Sequence, residues 1–237
     1  MIEIKNLTKK FNKFIALHDI NLKCEKGHSI AFIGPNGCGK TTLIKCILGL
    51  NVIDSGDILV NSNSVKKDYE YREKIGYMPQ IGRYPENMTI GQTIKMIQNN
   101  RKKVDHIDTE LLEAFDLPKL YNKKMSTLSG GTTQKVSAVL AFMFNPEIII
   151  LDEPTAGLDP LASEILKNKI IKERKSGKLI IITSHLLSEL DDIVNEIVFI
   201  NEGEILVHQT VEDLKSGTQK SKISDAITNI LKNMKND

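Results

Sequence analysis

Residues 2–7 and 15–24 alternate apolar and polar side chains, the period of strands with one buried face, and predict an antiparallel β-layer. From Ser29 the chain changes character: Ile30-Ala31-Phe32-Ile33 is continuously apolar, as in a strand buried on both faces, and runs into a glycine-rich turn. Residues 41–48 then read as a helix, giving strand, loop and helix in succession. Between residues 83 and 145 the pattern is mainly helical, with candidates at 89–97, 109–115 and 131–144 and an interruption near Pro118. Two more buried strands follow at 148–152 and 179–183, separated by a helix over 161–175 that Ser176-Gly177 closes. This order implies an α/β fold with a parallel sheet and crossover helices. A strand pair is predicted at 197–201 and 204–208 around Glu202-Gly203. In the tail, residues 220–237, Ile223, Ala226, Ile227, Ile230, Leu231 and Met234 recur at helical spacing, as in a helix that caps the domain or docks a partner.

Composition narrows the class. With 237 residues, 41% hydrophobic and 26% charged, the chain has the make-up of a folded globular protein with a sizeable core. Its apolar runs are far shorter than the roughly 20 residues of a spanning helix. The start, Met1-Ile2-Glu3-Ile4-Lys5, lacks the basic and apolar regions of a secretory signal. A soluble, cytoplasmic protein is expected. A net charge of +2, with no basic stripe, argues against a nucleic-acid partner. Cys24, Cys38 and Cys46 form no CxxC pair, as expected of reduced structural thiols.

Gly34-Pro35-Asn36-Gly37-Cys38-Gly39-Lys40-Thr41 matches the phosphate-binding pattern GxxxxGK[ST] and lies between a predicted strand and a predicted helix, where its mechanism requires it. The glycines let backbone N–H groups turn toward phosphate oxygens, and the helix presents its positive end to the same charge. Lys40 is placed to reach the β- and γ-phosphates. Thr41 is the candidate hydroxyl ligand of Mg²⁺, and Thr42 falls nearer the α-phosphate.

Ile148-Ile149-Ile150-Leu151 ends in Asp152-Glu153, which puts two acids at the carboxyl edge of a parallel sheet. Asp152 fits an acid that holds Mg²⁺, and Glu153 fits a general base that orients the attacking water. An acidic turn ended by Pro154 is the plain structural alternative.

Leu128-Ser129-Gly130-Gly131-Thr132 resembles the LSGGQ signature of the ABC ATPase family, and it lies between the phosphate loop and the acid strand as in that family. The resemblance covers roughly residues 2–215. It implies an α/β P-loop NTPase with a RecA-like parallel sheet core, an N-terminal antiparallel β-subdomain and an inserted α-helical subdomain over about 83–145. Residues 1–215 would form the ATPase domain and 216–237 a short helical tail. In the family, a signature like that of Ser129, Gly130 and Gly131 meets the γ-phosphate held by the opposite subunit. Phe11 looks like the aromatic that stacks on adenine, with Phe14 the alternative. Gln80, in Tyr77-Met78-Pro79-Gln80, looks like the glutamine that senses Mg²⁺ and relays its state to a membrane partner. Gly157-Leu158-Asp159 resembles the loop whose aspartate communicates across the dimer. His185 resembles the switch histidine that contacts the γ-phosphate. One residue departs from the pattern: Thr132 stands where the signature has glutamine, which implies altered affinity or coupling with Ser129 and the glycines still in place.

With ATP and Mg²⁺ as cofactors, the resemblance implies a head-to-tail homodimer, or a pair with a paralogous cassette. That pair would drive a separate multi-spanning permease subunit from the cytoplasmic face of the membrane. The segment Pro85-Glu86-Asn87-Met88-Thr89 and the compact size look most like ATPases of ABC-2-type exporters, and within them the copper-processing subunit serving nitrous-oxide reductase assembly. A soluble ABC-fold machine acting on nucleic acid or ribosomes is the alternative.

Overall fold

The hairpin that opens the chain is set by its alternating pattern. In the computed structural model, which describes residues 1–67, 69–101, 107–184 and 187–233, β1 (Ile2–Phe11) and β2 (Phe14–Cys24) pair antiparallel around Asn12-Lys13. Asn12 takes the left-handed conformation (φ 54°) that asparagine tolerates in tight turns. Ile2, Ile4, Leu7, Leu17, Ile20 and Leu22 are buried along the inner face. β3 (Ser29–Ile33) and α1 (Lys40–Ile47) follow. β4 (Ser55–Val60) pairs antiparallel with β1, and the short β5 (Asn63–Ser64) completes a four-stranded layer in the order β2-β1-β4-β5.

The chain divides into two compact units, Met1–Tyr71 with Ile181–Asp237, and Arg72–Ile180. In the second, β6 (Ile75–Met78) lies parallel to β7 (Ile148–Asp152), with Met78 opposite Leu151. Between them run α2 (Ile90–Asn100), α3 (Glu110–Ala114) and α4 (Gly130–Phe142), with a 3₁₀ turn over Leu117–Leu120 where Pro118 interrupts the helical pattern. α5 (Pro160–Lys175) follows β7 and starts on a proline, whose missing N–H costs nothing at that position. Each of these long helices is capped by its own sequence: Thr89, Ser129 and Asp159 accept from the backbone N–H of Gln92, Thr132 and Ala162.

β8 (Leu179–Thr183), buried throughout, carries the chain back to the first unit. There β9 (Glu196–Asn201) pairs parallel with β3, and β10 (Glu204–Thr210) pairs antiparallel with β9 around Glu202-Gly203. α6 (Val211–Thr218) and α7 (Ile223–Asn233) end the described chain. Asp191 pins both, accepting from Lys215 Nζ at 2.6 Å and from the Ile223 N–H at 3.2 Å. Ile223, Ala226 and Ile227 are buried, so this part of the tail's apolar stripe packs on its own domain. Met234 lies outside the described residues. Among the described residues no helix is long and apolar enough to cross a membrane.

Candidate nucleotide-binding site

The first unit supplies the phosphate loop. β3 delivers the chain to Gly34, and α1 begins at Lys40 behind Gly39, whose φ of 116° is closed to ordinary side chains. A Cβ at Gly39 would also lie 2.8 Å from the Ala16 carbonyl oxygen, so only glycine fits the point where the loop turns into the helix. As cap residue, Gly39 offers no side chain to the first-turn N–H groups of α1, unlike Thr89, Ser129 and Asp159 on theirs. An uncapped helix start behind glycines is suited to an anion. Lys40 is buried, and its Nζ donates to the carbonyls of Gly34 (2.7 Å) and Pro35 (3.0 Å), which draws the ammonium into the loop. Pro35, Asn36 and Gly37 are exposed at the tip, Thr41 and Thr42 half-buried on the first turn, and Cys38 buried beneath with its Sγ 3.8 Å from Lys40 Nζ.

The same unit holds the loop against the opening hairpin. Gly203 N–H donates to the Cys38 carbonyl (3.0 Å), and His18 N–H donates to the Gly203 carbonyl (2.9 Å), so the turn between β9 and β10 ties β2 to the phosphate loop. The β1–β2 register slips between Lys9–Leu17 and Lys10–Ile15, a bulge at Ala16 that turns its carbonyl toward Gly39. Phe11, at the hairpin tip of this same layer, is 46% exposed, and Phe14 opposite it is 64% exposed. The larger exposed area belongs to Phe14, but Phe11 is the ring with a held orientation, since Lys9 Nζ lies 4.9 Å over its centroid.

The second unit supplies the acids. β7 is buried along its length and ends at Asp152 (3% exposed) and Glu153 (9% exposed). Because β6 runs parallel with Met78 opposite Leu151, Gln80 leaves at the same carboxyl edge as the acids. Gln80 itself is exposed there. Burial pushes the Tyr77 phenol up to about 12, and the charge of Asp152 adds to the shift, which places that carboxylate beside the end of β6. Glu153 has φ 54°, an uncommon conformation for a non-glycine residue. It is stabilised by a turn in which the Ala156 N–H donates to the Glu153 carbonyl at 3.1 Å.

The signature segment lies in the second unit as well. Ser129 caps α4, and its Oγ lies 2.9 Å from the Thr132 hydroxyl, so the departing residue of the motif engages the serine that defines it. Ser129 and Gly130 are exposed, and Gly131 is half-buried. Asp159 caps α5 and also accepts from Lys135 Nζ of α4 at 2.7 Å. The hydrogen bonds from Lys135 and the Ala162 N–H hold the Asp159 carboxyl below its usual range. His185, the predicted switch residue, lies outside the described residues.

Phe11 and the whole phosphate loop are thus gathered in one unit, and Gln80, Asp152, Glu153, Ser129, Gly130, Gly131 and Asp159 in the other. Sequence reasoning missed Lys9 and the partner of Lys135. For Lys9 a signal existed: it follows Leu7 at strand period and so falls on the inward face, where a lysine requires an explanation.

A continuous apolar strand, a glycine loop closing on a buried lysine and an uncapped helix behind it define a P-loop nucleotide-binding protein of the α/β class. The sequence matches the ABC transporter family over residues 17–156. It is 31% identical over 229 residues to the uncharacterized ABC transporter ATP-binding protein YhaQ of Bacillus subtilis (strain 168), a match covering 94% of this chain and 76% of that one. It is 33% identical over 224 residues to the linearmycin resistance ATP-binding protein LnrL of the same organism, covering 91% and 71% of the two chains. Among solved structures, an ATP binding subunit of an ABC transporter superposes with a TM-score of 0.90 at 26% identity, covering 98% of this chain and 99% of that one. The chain belongs to the ABC transporter ATP-binding family, and it is an ABC ATPase.

Proposed function

We propose that this chain is the ATP-hydrolysing subunit of an ABC exporter: it closes on Mg-ATP with a second cassette head to tail and drives a separate membrane permease. The observation that carries this reading is that one chain bears both a phosphate loop closing on a buried lysine and, on a second helix start, an exposed signature segment. α1 lies behind the phosphate loop, and α4 starts at Ser129 and Gly130, both exposed on their own chain, where a Cβ at Gly130 would meet no atom within 4 Å. A second copy, or a paralogous cassette, can therefore reach the signature face. The exporter direction is supported by the likeness to LnrL, a resistance ATP-binding protein.

In this reading Phe11 stacks on adenine, Thr42 serves the α-phosphate and Lys40 the β- and γ-phosphates. The half-buried Thr41 hydroxyl, the buried Asp152 carboxylate and the Gln80 amide are hard oxygen donors, the set that suits Mg²⁺ alongside phosphate oxygens. Those residues would hold the ion, which supplies charge neutralisation at the phosphates. Glu153 orients water and accepts its proton as the oxygen attacks the γ-phosphorus; the bond to the β–γ bridging oxygen breaks, leaving ADP and phosphate. His185 and, from the second chain, Ser129 contact the γ-phosphate, and Asp159 carries the state of one site toward the other. ATP bridges the two chains by charge-assisted hydrogen bonds, and hydrolysis removes the bridge. The permease holds the assembly at the cytoplasmic face of the membrane.

Glu153→Gln is the test. It is expected to retain ATP binding while turnover falls about 100-fold or more. Affinity-purified with Mg-ATP from gently solubilised cells of its source, the variant is expected to bring down a multi-spanning protein in near-stoichiometric amount. Hydrolysis at the parent rate would remove Glu153 as the base. Ribosomal proteins or nucleic acid in place of any membrane subunit would overturn the transporter reading.

A further inference from the structure

Lys9 is the anomaly of the first unit. Lysine is rarely buried without a reason, yet Lys9 is 9% exposed on the inward face of β1, two residues from Phe11 and therefore on the same side of the strand. Its ammonium is fixed from one side by Asp54, whose Oδ2 accepts from Lys9 Nζ at 3.0 Å and from the Lys10 N–H at 2.8 Å. Asp54 is itself anchored, since its N–H donates to the Thr8 carbonyl at 3.2 Å where β4 joins β1. The same ammonium lies 4.9 Å over the centroid of Phe11. Asp54, Lys9 and Phe11 form a stack of carboxylate, cation and ring. The stack also reaches the phosphate-loop helix: burial pushes the Cys46 thiol of α1 up to about 11, and the opposed charges of Lys9 and Asp54 both act on it.

We propose that Lys9, clamped by Asp54, is a positioning residue for the nucleotide base: it backs one face of the Phe11 ring and fixes the other as a stacking platform for a purine. The inference rests on the reading of Phe11 as the base-stacking residue and adds a residue to that site. Two physical effects act in the same direction. A cation over one face of a ring draws electron density toward itself, and the opposite face becomes a better partner for an electron-rich purine. The cation also holds a half-exposed phenyl group in one orientation before the nucleotide arrives, so less side-chain freedom is lost on binding. A lysine serving only to neutralise Asp54 would need neither its burial nor its place over the ring. Because Lys9 acts through the base, it should influence ligands that carry a base and leave the phosphates alone.

The experiment is steady-state ATP hydrolysis by the parent, Lys9→Met, Lys9→Arg, Phe11→Ala and the double variant Lys9→Met with Phe11→Ala. Inorganic triphosphate serves as a competing ligand without a base. Lys9→Met is expected to raise the KM for ATP about threefold to fivefold with kcat unchanged, the size of a partly shielded cation–ring contact. Lys9→Arg, which keeps the cation, should stay near the parent. The inhibition constant of inorganic triphosphate should not move, and on the Phe11→Ala background Lys9→Met should add no further rise. An equal rise in KM on both backgrounds, or a matching rise for inorganic triphosphate, would overturn the inference while leaving Phe11 as the platform. A Phe11→Ala variant with unchanged KM would overturn the platform reading and the inference with it. Should Lys9→Met not fold, Asp54→Asn, which keeps the lysine but releases it, is expected to raise the KM for ATP and not the inhibition constant of inorganic triphosphate; an unchanged KM there overturns the inference.

Discussion

A Cβ at Gly131 would sit 2.7 Å from the carbonyl oxygen of Gly157, closer than real side chains come to backbone. The signature helix and the loop that ends at Asp159 are therefore in direct backbone contact, and the Lys135–Asp159 ion pair closes the same gap at 2.7 Å a turn further on. Gly131→Ala should force the two segments apart and lower turnover about tenfold or more, a misplacement effect, with little change in thermal midpoint because the site is only half-buried. Turnover at the parent level would show that the two segments need not keep this spacing. The sequence made Ser129, the glycines and Asp159 legible as separate motifs. What it could not show is that Asp159, expected to speak to a second chain, is already engaged with α4 of its own. Lys135 falls within the helix predicted over 131–144, but a partner 24 positions away leaves no trace in local periodicity.

At the scale of elements, the strongest polar feature is Lys169 of α5, whose side chain is 2% exposed. It donates to Asp108, to Glu110 at 2.8 Å and to Glu173 at 2.8 Å, tying α5 to the start of α3. Removing the cation by Lys169→Met would take from Asp108 its lysine partner and leave Glu110 and Glu173 with only Lys172 and Lys178, a loss of about 3 kcal/mol by the rule for broken buried pairs. That would be read as a lower denaturation midpoint. The cluster also fixes a pH dependence. Burial works against ionised Asp108, but its hydrogen bonds from Lys169 and the Glu110 N–H outweigh it, and the carboxyl is held below the usual range. Hydrogen bonds from Lys169 and Lys172 lower Glu110 likewise. For carboxyls lowered on folding, the stabilisation is present above their unfolded pKa values of about 3.9 and 4.3 and is lost as pH falls through the lower folded values. Acid unfolding of the parent should steepen below about pH 4, and Lys169→Met should lose that part of the slope. An unchanged acid limb would remove the cluster from the account. Element legibility followed the same logic of local against distant cause. β3, β7 and β8 are continuous apolar runs and match the predicted bounds. β4 opens on Ser55-Gly56-Asp57, β6 is four residues interrupted by Gly76, and α6 contains Gly217, so none of them carries a pattern of its own. The two strands form because neighbours offer hydrogen bonds, β4 in antiparallel register with β1 and β6 in parallel register with β7, while α6 starts on its Thr210 cap.

At the scale of the whole molecule, a chain that carries both a phosphate loop and a signature helix can complete a site with itself or with another copy. The exposure of Ser129 and Gly130 favours another copy, and the choice has a consequence that two lesions can read. Lys40→Ala damages the phosphate loop and spares the signature; Ser129→Glu places a negative charge where the signature would meet phosphate and spares the loop. Each is placed in the Glu153→Gln background, so that hydrolysis does not open the dimer. Alone with Mg-ATP, each variant should sediment as a monomer, since either pairing with itself leaves both sites broken. Mixed head to tail, the two variants form one site bearing both lesions and one site bearing none. The mixture should therefore dimerise and hold about one ATP per dimer, with a midpoint concentration above that of Glu153→Gln by itself because one bridge is missing. If each chain completed its own site, mixing would mend nothing, and the mixture would stay monomeric even about 100-fold above the Glu153→Gln midpoint. Rescue by mixing requires that the intact loop and the intact signature come from different chains, which no arrangement within one chain can imitate.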